Sequence, residues 1–425
     1  MKQLFLIVIT LFSLNLYSQK TVQFYVNKAL ENSPLLQKEK NTYKIIDLDL
    51  KQFKAIYNSP TVNMNANVLF APIITNDNGN TKLEVVSNGA TNYYGYDLGI
   101  SNGGQYQTLV SINQPLFTKR HLDAYKNKAT ILKQKYANQI TLTKLELKQI
   151  VTHQYILCIQ SKKNIENAKE NSQILENQIK EMKPLVAVGI LKFIDLKWIE
   201  LALKNSQIDQ ERFTANYQNN VNALNLLCGI QTTTIADLED IELQISNRFS
   251  EKSIFAKQFQ IDSFAIQSDQ KITDLKYLPQ VRAYSDAGLN ATYLPKLNRL
   301  GFSFGMAITW NLFDGHQQKT THQQNQIKLE NLKYDKTYFI NQNTIRKNNL
   351  IKQIQSVDKQ IILLNQQLID YQKLLHLYQV EIKESLVSVL DLKIIIKEIA
   401  LKKQEKTNIQ LAKQILINVY NYWSN

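Results

Sequence analysis

Two long stretches of this chain contain none of the residues that usually end helices. Glycine and proline are absent from Leu116 to Lys183 and from His316 to Asn425. Both stretches are rich in Lys, Gln, Leu, Ile, Glu and Asn. At a rise of about 1.5 Å per residue, the first stretch predicts a helix on the order of 100 Å long. Globular domains rarely contain helices of this length, so the sequence predicts an elongated, mainly α-helical protein.

The second stretch carries a heptad seam, in which apolar residues are spaced alternately by four and by three. The seam consists of Leu350, Ile354, Val357, Ile361, Leu364, Leu368, Tyr371, Leu375, Tyr378 and Ile382. This spacing predicts a helix that packs along a coiled-coil partner. The first stretch keeps the same rhythm from Leu122 to Tyr136. Its apolar faces then broaden, which suggests contacts on more than one side.

The two helical stretches have matching ends. Leu116-Phe117 has a counterpart in Leu312-Phe313, and Asp195-Leu196-Lys197 has one in Asp391-Leu392-Lys393. Both pairs are separated by 196 residues, although little else in the two stretches is identical. Equal spacing at both ends predicts an internal duplication.

Between the helical stretches, the period of the sequence changes to two. In Gly301–Leu312 every large apolar residue falls on one face of a strand and every small or polar residue on the other. The same alternation predicts strands at Val62–Phe70, at Tyr94–Ile100 continuing through Val110–Asn113 and, more weakly, at Val281–Leu289. Such alternation is typical of membrane-barrel strands, but a soluble sheet with one wet face would show it too.

Residues 1–18 combine a charged head, an apolar run and a small residue, Ser18, at the end. This combination is typical of a secretory signal peptide, so we expect the mature chain to begin near Gln19. Export, aromatic residues near the strand ends and strand lengths of about ten residues favour a membrane barrel over a soluble sheet. No apolar segment of 18 or more residues follows the signal peptide, so no membrane-spanning helix is predicted.

The first strand zone, from Pro60 to Leu116, is 23 residues longer than the second, from Pro279 to Leu312. We expect the extra residues, around Ile73–Asn92, to form an exposed loop. Four strands cannot close a barrel, because around eight is the practical minimum and an open edge in lipid leaves backbone groups unpaired. The sequence therefore predicts a trimer in which three copies supply twelve strands.

Few residues in this chain form a pattern that indicates chemistry. The 50 basic and 36 acidic residues are mixed along the helices, which indicates a solvated surface and no nucleic-acid partner. The five histidines form no pair at a spacing of four, and no Walker loop, dinucleotide fingerprint or nucleophile elbow occurs. We therefore predict no catalytic residue, no cofactor, no metal site and no enzymatic activity. Cys158 and Cys228 are expected to be buried free thiols.

Several short motifs carry a family resemblance. They are Asn32-Ser33-Pro34, Tyr277-Leu278-Pro279, Trp310-Asn311-Leu312-Phe313-Asp314-Gly315, and Val188-Gly189 followed six residues later by Asp195. With these motifs and its order of elements, the chain resembles the TolC-like outer-membrane efflux protein (outer membrane factor) family. The resemblance implies a mainly α fold with a transmembrane β part. A strand hairpin plus a long helical hairpin would occur twice, and a homotrimer would form a 12-strand β-barrel and a periplasmic α-helical barrel.

The resemblance also implies functional residues at the two hairpin tips. Val188, Gly189 and Asp195 in the first tip and Ser385 in the second would belong to the site where a periplasmic adaptor (membrane fusion) protein docks. Asp391 would form part of the pore constriction. Ser385 stands where the family usually has glycine, and Ile394 stands where a second aspartate of the closing ring is known, so a less acidic constriction is expected.

The function implied is an exit duct in the cell outer membrane, with a large periplasmic part. It would be a passive channel of a tripartite efflux or type I secretion system, exporting small molecules or proteins. The partners implied are the adaptor, an inner-membrane pump of RND or ABC type, and outer-membrane lipid. The alternative is a periplasmic or surface coiled-coil scaffold without a conduit.

The expected organisation follows the duplication. Its parts are a signal peptide (1–18), a periplasmic helix (19–59), two barrel strands with an exposed loop (60–116), a long helical hairpin (117–230), a linker and helix (231–278), two more barrel strands (279–313) and a second long helical hairpin (314–425).

Overall fold

The computed structural model describes residues 20–85, 89–95, 105–232, 237–246, 253–292, 299–384 and 386–425. The predicted signal peptide and Ser385 lie outside these ranges. The described chain divides into two compact units. One comprises residues 20–40, 138–258 and 335–425, and the other comprises 41–137 and 259–334.

Seven α-helices lie in the described part of the chain. They are α1 (Val22–Asn32), α2 (Pro34–Asn58), α3 (Lys119–Ala187), α4 (Phe193–Leu227), α5 (Ile254–Leu275), α6 (Gln317–Glu381) and α7 (Val389–Trp423). The two longest, α3 and α6, have 69 and 65 residues, which confirms the expectation of very long helices. None of the described helices combines the length and the apolarity needed to cross a membrane.

The return helices α4 and α7 each have 35 residues, and both ends of α7 lie 196 positions after the corresponding ends of α4. This is the same offset that separates the repeated sequence ends.

The heptad seam of α6 is confirmed. Leu350, Ile354, Leu364, Leu368 and Ile382 are each at most 8% exposed. The other seam residues are partly buried, whereas most positions between them are exposed. The seam is buried because apolar residues at this spacing fall along one line of the helix.

The helical unit contains two apolar cores. The first is built from α1, α3, α4, α7 and Leu238, with Tyr25, Tyr155 and Leu224 at its centre. The second lies where α3 turns into α4 and α6 turns into α7, and includes Met182, Ile199 and Leu392. Cys158 and Cys228 are free thiols buried in the first core, as predicted.

The Asn32-Ser33-Pro34 motif joins α1 to α2 and also supports α4. The Asn32 amide donates to the Cys228 carbonyl at 2.9 Å, where α4 ends. The Ser33 hydroxyl accepts from the backbone N–H of Leu36 at 3.3 Å, in the first turn of α2.

The other unit contains two antiparallel sheets. The larger has the order β1 (Thr61–Leu69), β5 (Gln105–Leu116), β6 (Gln280–Thr292) and β7 (Leu300–Thr309). The smaller has the order β3 (Lys82–Glu84), β2 (Ile73–Thr75) and β4 (Tyr93–Tyr94). The weakest of the sequence-predicted strands, Val281–Leu289, lies within β6, a strand of 13 residues.

One strand prediction was wrong in part. Tyr94 does not begin a strand of the larger sheet, but lies in β4 and pairs with Ile74 of β2. The larger sheet resumes at Gln105, while residues 96–100 of the predicted strand lie outside the described residues. The expected exposed loop is thus a small folded sheet, in which Asp77 accepts hydrogen bonds from Thr91 and Asn92.

Candidate functional site

The larger sheet has one mainly apolar and one mainly polar face, because side chains alternate along each strand. Val62 pairs with Ile112, and Met64 pairs with Val110. Most large side chains of the apolar face are exposed, namely Val62, Met64, Val68, Val110, Ile112, Phe302, Phe304, Met306 and Ile308, whereas Tyr106, Val281 and Leu289 on the same face are half-buried. The opposite face includes Asn63, Asn65, Asn67, Gln107, Ser111, Asn113, Arg282, Asp286 and Ser303.

At two glycines of the polar face, a side chain would clash with a neighbouring strand. A Cβ atom on Gly305 would lie 2.7 Å from the ring of Tyr284, its partner across β6 and β7. A Cβ on Gly288 would lie 2.0 Å from the carbonyl oxygen of Thr108 in β5. Neither position has room for a larger side chain without movement of its neighbour.

The sheet has two open edges. Its order places β1 at one edge and β7 at the other, and neither strand has a second partner within the described chain. An exposed row of backbone N–H and C=O groups is a template for pairing with another chain. The sheet is therefore incomplete in a single copy.

The motifs on either side of β6 and β7 meet at one junction. The indole N–H of Trp310 donates to the carbonyl oxygen of Tyr277 at 3.1 Å. The Asp314 carboxylate accepts from the backbone N–H of Gln318 at 2.7 Å, in the first turn of α6. A hydrogen bond from the Tyr277 hydroxyl holds the pKa of Asp314 below its usual value. The two sequence motifs thus tie the strand ends to the start of α6.

A second carboxylate, Asp274, lies at the end of α5. Its Oδ1 contacts Nε2 of His322 at 2.8 Å and accepts from the amides of Gln318 and Gln270. Burial by itself raises the pKa of Asp274, but these hydrogen bonds outweigh burial and lower the pKa. The cluster links α5 to α6 beside the junction.

The first hairpin tip is a glycine-dependent turn. Gly189 has a φ of +79°, and its N–H and that of Ile190 bond to the carbonyls of Val186 and Leu185 at 3.1 and 2.9 Å. This is the Schellman arrangement that ends helices at a left-handed residue. The Asp195 carboxylate accepts from the backbone N–H of Lys192 at 3.1 Å. Asp195 therefore stabilises the start of α4.

The second tip is built differently. A 3₁₀ turn, Ile382–Glu384, follows α6, and the Ser388 hydroxyl accepts from the backbone N–H of Leu390 at 3.1 Å. The backbone N–H of Asp391 donates to the Ser388 carbonyl. No hydrogen bond or ion pair joins the Asp391 carboxylate to the residues that the structure describes. Asp391 is thus an exposed carboxylate without the capping role of Asp195.

Exposed apolar side chains cluster at both tips. The largest exposed fractions are 71% for Val188, 65% for Phe193 and 68% for Leu386. The full set is Val188, Ile190, Phe193, Ile194, Trp198, Leu386, Leu390 and Ile394. Lys393 of the second hairpin lies 4.3 Å above the Trp198 ring of the first. The two tips therefore form one surface.

Several solved structures resemble this chain over nearly its whole length. CusC, whose crystal structures concern folding and transmembrane channel formation, has a TM-score of 0.73 and 14% identity. The match covers 96% of this chain and 92% of CusC. The outer membrane protein VceC from Vibrio cholerae has a TM-score of 0.69 and 14% identity, and the match covers 95% of this chain and 96% of VceC. The Campylobacter jejuni CmeC outer membrane channel has a TM-score of 0.68 and 11% identity, and the match covers 96% of this chain and 86% of CmeC.

The chain has the fold of these outer-membrane channels. The resemblance stated from the sequence motifs is confirmed at the level of fold. No protein-family model matches the sequence, and no curated protein sequence matches it either.

Within this channel fold, sequence reasoning missed several contacts. The capping role of Asp195 could have been inferred, because an acidic residue three positions after the end of a turn is a helix-start signal. The pairing of Trp310 with Tyr277 and the stacking of Lys393 on Trp198 join distant parts of the sequence. No pattern within a short stretch of the sequence predicts these two contacts.

Proposed function

We propose that this chain is an exit duct in the outer membrane, with a large periplasmic part. It serves as a passive channel through which a tripartite efflux or type I secretion system exports small molecules or proteins. The proposal rests above all on the larger sheet, which exposes an apolar face, presents a polar face opposite and leaves both edges unpaired. The apolar face would contact lipid and the polar face would contact water. Each open edge would pair with a further copy of the chain.

Three copies fit the open edges better than two. Two copies would make a barrel of about eight strands, whose interior is filled by side chains. Three would make a twelve-strand barrel, wide enough for a water-filled passage lined by the amides of the polar face. In this arrangement β7 of each copy pairs with β1 of the next.

The helices support the same assembly. Besides its buried seam, α6 has a second, sparser line of apolar residues, separated by 7, 17, 7 and 11 positions, and these are at least 50% exposed: Tyr338, Ile345, Ile362, Ile369 and Val380. A helix with apolar residues on two sides packs against partners on both. We infer that neighbouring copies cover this second line, so that the helices of three chains close into a periplasmic tunnel.

We propose that the tips dock a periplasmic adaptor, which connects the duct to an inner-membrane pump of RND or ABC type. The exposed apolar side chains around Val188, Gly189 and Phe193 supply a contact surface. Asp195 acts there by shaping the turn, and Ser385 belongs to the same surface by its place in the chain. Asp391, whose carboxylate is free among the described residues, is proposed to line the constriction.

The proposed organisation keeps the expected segments. The barrel strands come from residues 60–116 and 279–313, the helical hairpins from 117–230 and 314–425, and the remaining mature segments are residues 19–59 and 231–278, with residues 1–18 as the signal peptide.

Two neighbouring substitutions in β7 test the barrel. Phe304 lies on the exposed apolar face and Ser303 on the polar face, directly opposite Asp286 of β6. Phe304→Arg should cost about 2–4 kcal/mol if the side chain faces lipid near the midplane. Ser303→Arg places its charge opposite Asp286 and should leave assembly intact. The measurement is the yield of folded protein in outer-membrane fractions.

The results separate a duct from the alternative, a coiled-coil scaffold. Equal tolerance of both substitutions, or recovery of the unaltered protein in the soluble periplasmic fraction, would contradict the barrel and favour the scaffold.

A further inference from the structure

The polar face of the larger sheet contains a shallow depression of about 320 Å³. Gly288 of β6 and Gly301 of β7 lie in its floor and pair directly with each other. Leu109 of β5 pairs with Gly288 from the other side and also lines the depression. The depression therefore exists because two neighbouring strands carry no side chain at the same level, and Leu109 forms an apolar wall beside the gap.

Charged side chains of opposite sign border the depression at its two ends. On β6, Asp286 lies two residues before Gly288 and Asn290 lies two residues after it. Arg299 lies next to Asn290, whose backbone N–H donates to the Arg299 carbonyl at 3.3 Å. Asp286, Asn290 and Arg299 all line the depression. The strand from Asp286 to Asn290 spans about 13 Å, so the carboxylate and the guanidinium come from opposite ends of the gap.

Neither charged group has a counter-charge among the residues that the structure describes. The half-buried Asp286 accepts one hydrogen bond, from the Ser303 hydroxyl to its Oδ2 at 3.4 Å. A carboxylate that loses water in this way is stabilised by a cation. Arg299 is exposed, and a guanidinium presents a planar set of N–H donors that matches a carboxylate. The depression thus offers an acceptor for a cation at one end and donors for an anion at the other.

A zwitterion matches both ends at once. A ligand with only a positive charge would leave Arg299 unmatched, and a ligand with only a negative charge would leave Asp286 unmatched. Between the two charges, Leu109 offers an apolar contact. Ligand pockets in proteins begin at about 300 Å³, so a depression of this volume fits a molecule of amino-acid size.

We propose that this depression binds one free amino acid with an aliphatic side chain. Its ammonium group donates to the Asp286 carboxylate, its carboxylate accepts from the Arg299 guanidinium, and its side chain contacts Leu109. The inference does not rest on the proposed duct function, because three strands of a single copy form the whole site.

The test compares three probes that share an isobutyl group. L-Leucine carries both charges, isopentylamine lacks the carboxylate, and 4-methylpentanoic acid lacks the ammonium group. Each is titrated at pH 7 against the full-length protein in detergent, and binding is followed by saturation-transfer difference NMR. Leucine should bind roughly five- to tenfold more tightly than either analogue, because each analogue leaves one charged group of the site without a partner.

Two substitutions examine the two ends of the site separately. Asp286→Asn should make leucine and 4-methylpentanoic acid bind equally, because the ammonium group then has no counter-charge. Arg299→Gln should make leucine and isopentylamine bind equally, because the carboxylate has lost its partner. The matched control is Arg282→Gln, which changes a charge on the same face of β6 outside the depression. It should leave the affinity for leucine unchanged.

Filling the floor of the depression is an independent test. A Cβ atom on Gly301 would meet no atom within 4 Å, so Gly301→Val adds a side chain there without a clash at Cβ. It should weaken the binding of leucine, while thermal unfolding shows that the variant remains folded.

Three results would overturn the proposal. The first is equal affinity of the three probes for the unaltered protein, a comparison that requires no variant to fold. The second is an equal loss of leucine affinity with Arg282→Gln and Arg299→Gln, since the attraction would then come from the polar face as a whole. The third is the absence of saturable binding. A negative result in the barrel test of β7 would leave all of these expectations unchanged.

Discussion

At Gly288 the strands β5 and β6 approach closely, since a Cβ atom there would overlap the Thr108 carbonyl oxygen. Backbone cannot yield as a flexible side chain can. Gly288→Ala is therefore expected to destabilise the sheet by roughly 1–3 kcal/mol or more and to lower the yield of folded protein. Thermal unfolding followed by circular dichroism would measure the loss.

The control for this prediction lies directly across the ladder. Gly301 pairs with Gly288, and a Cβ atom on Gly301 would meet no atom within 4 Å. Gly301→Ala should be nearly neutral. If both substitutions cost the same, the close approach of β5 to β6 is not the cause.

The two cysteines permit a second test at this scale. Burial raises the pKa of both Cys158 and Cys228 to about 12. The thiolate is the reactive form, so neither thiol should react with iodoacetamide at pH 8 in the folded protein. Both should react after denaturation. Mass spectrometry would count the modified sites, and labelling of the folded protein would contradict the burial of the thiols.

Sequence reasoning at the residue scale succeeded where burial alone decides. Cys158 and Cys228 were predicted to be buried free thiols, and both are. Sequence reasoning missed the contact that Asp195 makes, in which its carboxylate accepts from the Lys192 N–H; the assignment of Asp195 to adaptor docking stays a prediction. A short-range capping contact and a binding role draw on the same residue types, so the sequence motif does not separate them.

At the scale of elements, the helices and the strand alternation could be predicted because both depend on periodicity along the chain. The partner of each strand could not. Tyr93–Tyr94 pairs with β2 of the smaller sheet. The apolar–polar alternation continues through Ile100 and did not indicate that this pairing differs from that of the larger sheet. The small sheet was therefore expected to be a loop.

The junction between α5 and α6 should be sensitive to acid. The lowered pKa of Asp274 means that its ionised form is favoured by folding. Its contribution to stability is present above the usual value of 3.8 and is lost as the pH falls through the lower pKa of the folded state. Asp274→Asn should cost about 1 kcal/mol at neutral pH, allowing for partial exposure, and should lose less stability between pH 5 and pH 2, roughly the range in which a carboxylate titrates.

Melting temperatures measured across that range would check this expectation. Asp269→Asn, on the same helix, is the matched control, because its pair with Lys128 is more exposed. If the variant of Asp274 and the unaltered protein lose stability in parallel on acidification, the hydrogen bonds from His322, Gln318 and Gln270 do not set the acid response.

At the scale of the whole molecule, the two long helical hairpins end in tips with different chemistry. Asp195 is tied to Lys192, whereas Asp391 has a free carboxylate among the described residues. In the proposed trimer, three Asp391 side chains approach one axis and favour cations. Asp391→Asn should therefore reduce cation preference in planar-bilayer recordings.

The control is Asp195→Asn, which should weaken the turn before α4 by about 0.5–1 kcal/mol without changing ion selectivity. A selectivity change with Asp195→Asn and none with Asp391→Asn would exchange the roles of the two tips.

The open edges at β1 and β7 also have a genetic consequence. If each barrel closes only when both edge strands of every copy pair with a neighbouring copy, a single copy with one blocked edge prevents closure of the whole barrel. A variant with proline in the middle of β7 would remove a backbone donor there and, co-expressed with the unaltered chain, would leave only a small minority of assemblies free of it. Such a variant would be dominant over the unaltered gene, whereas a variant that merely fails to fold would be recessive.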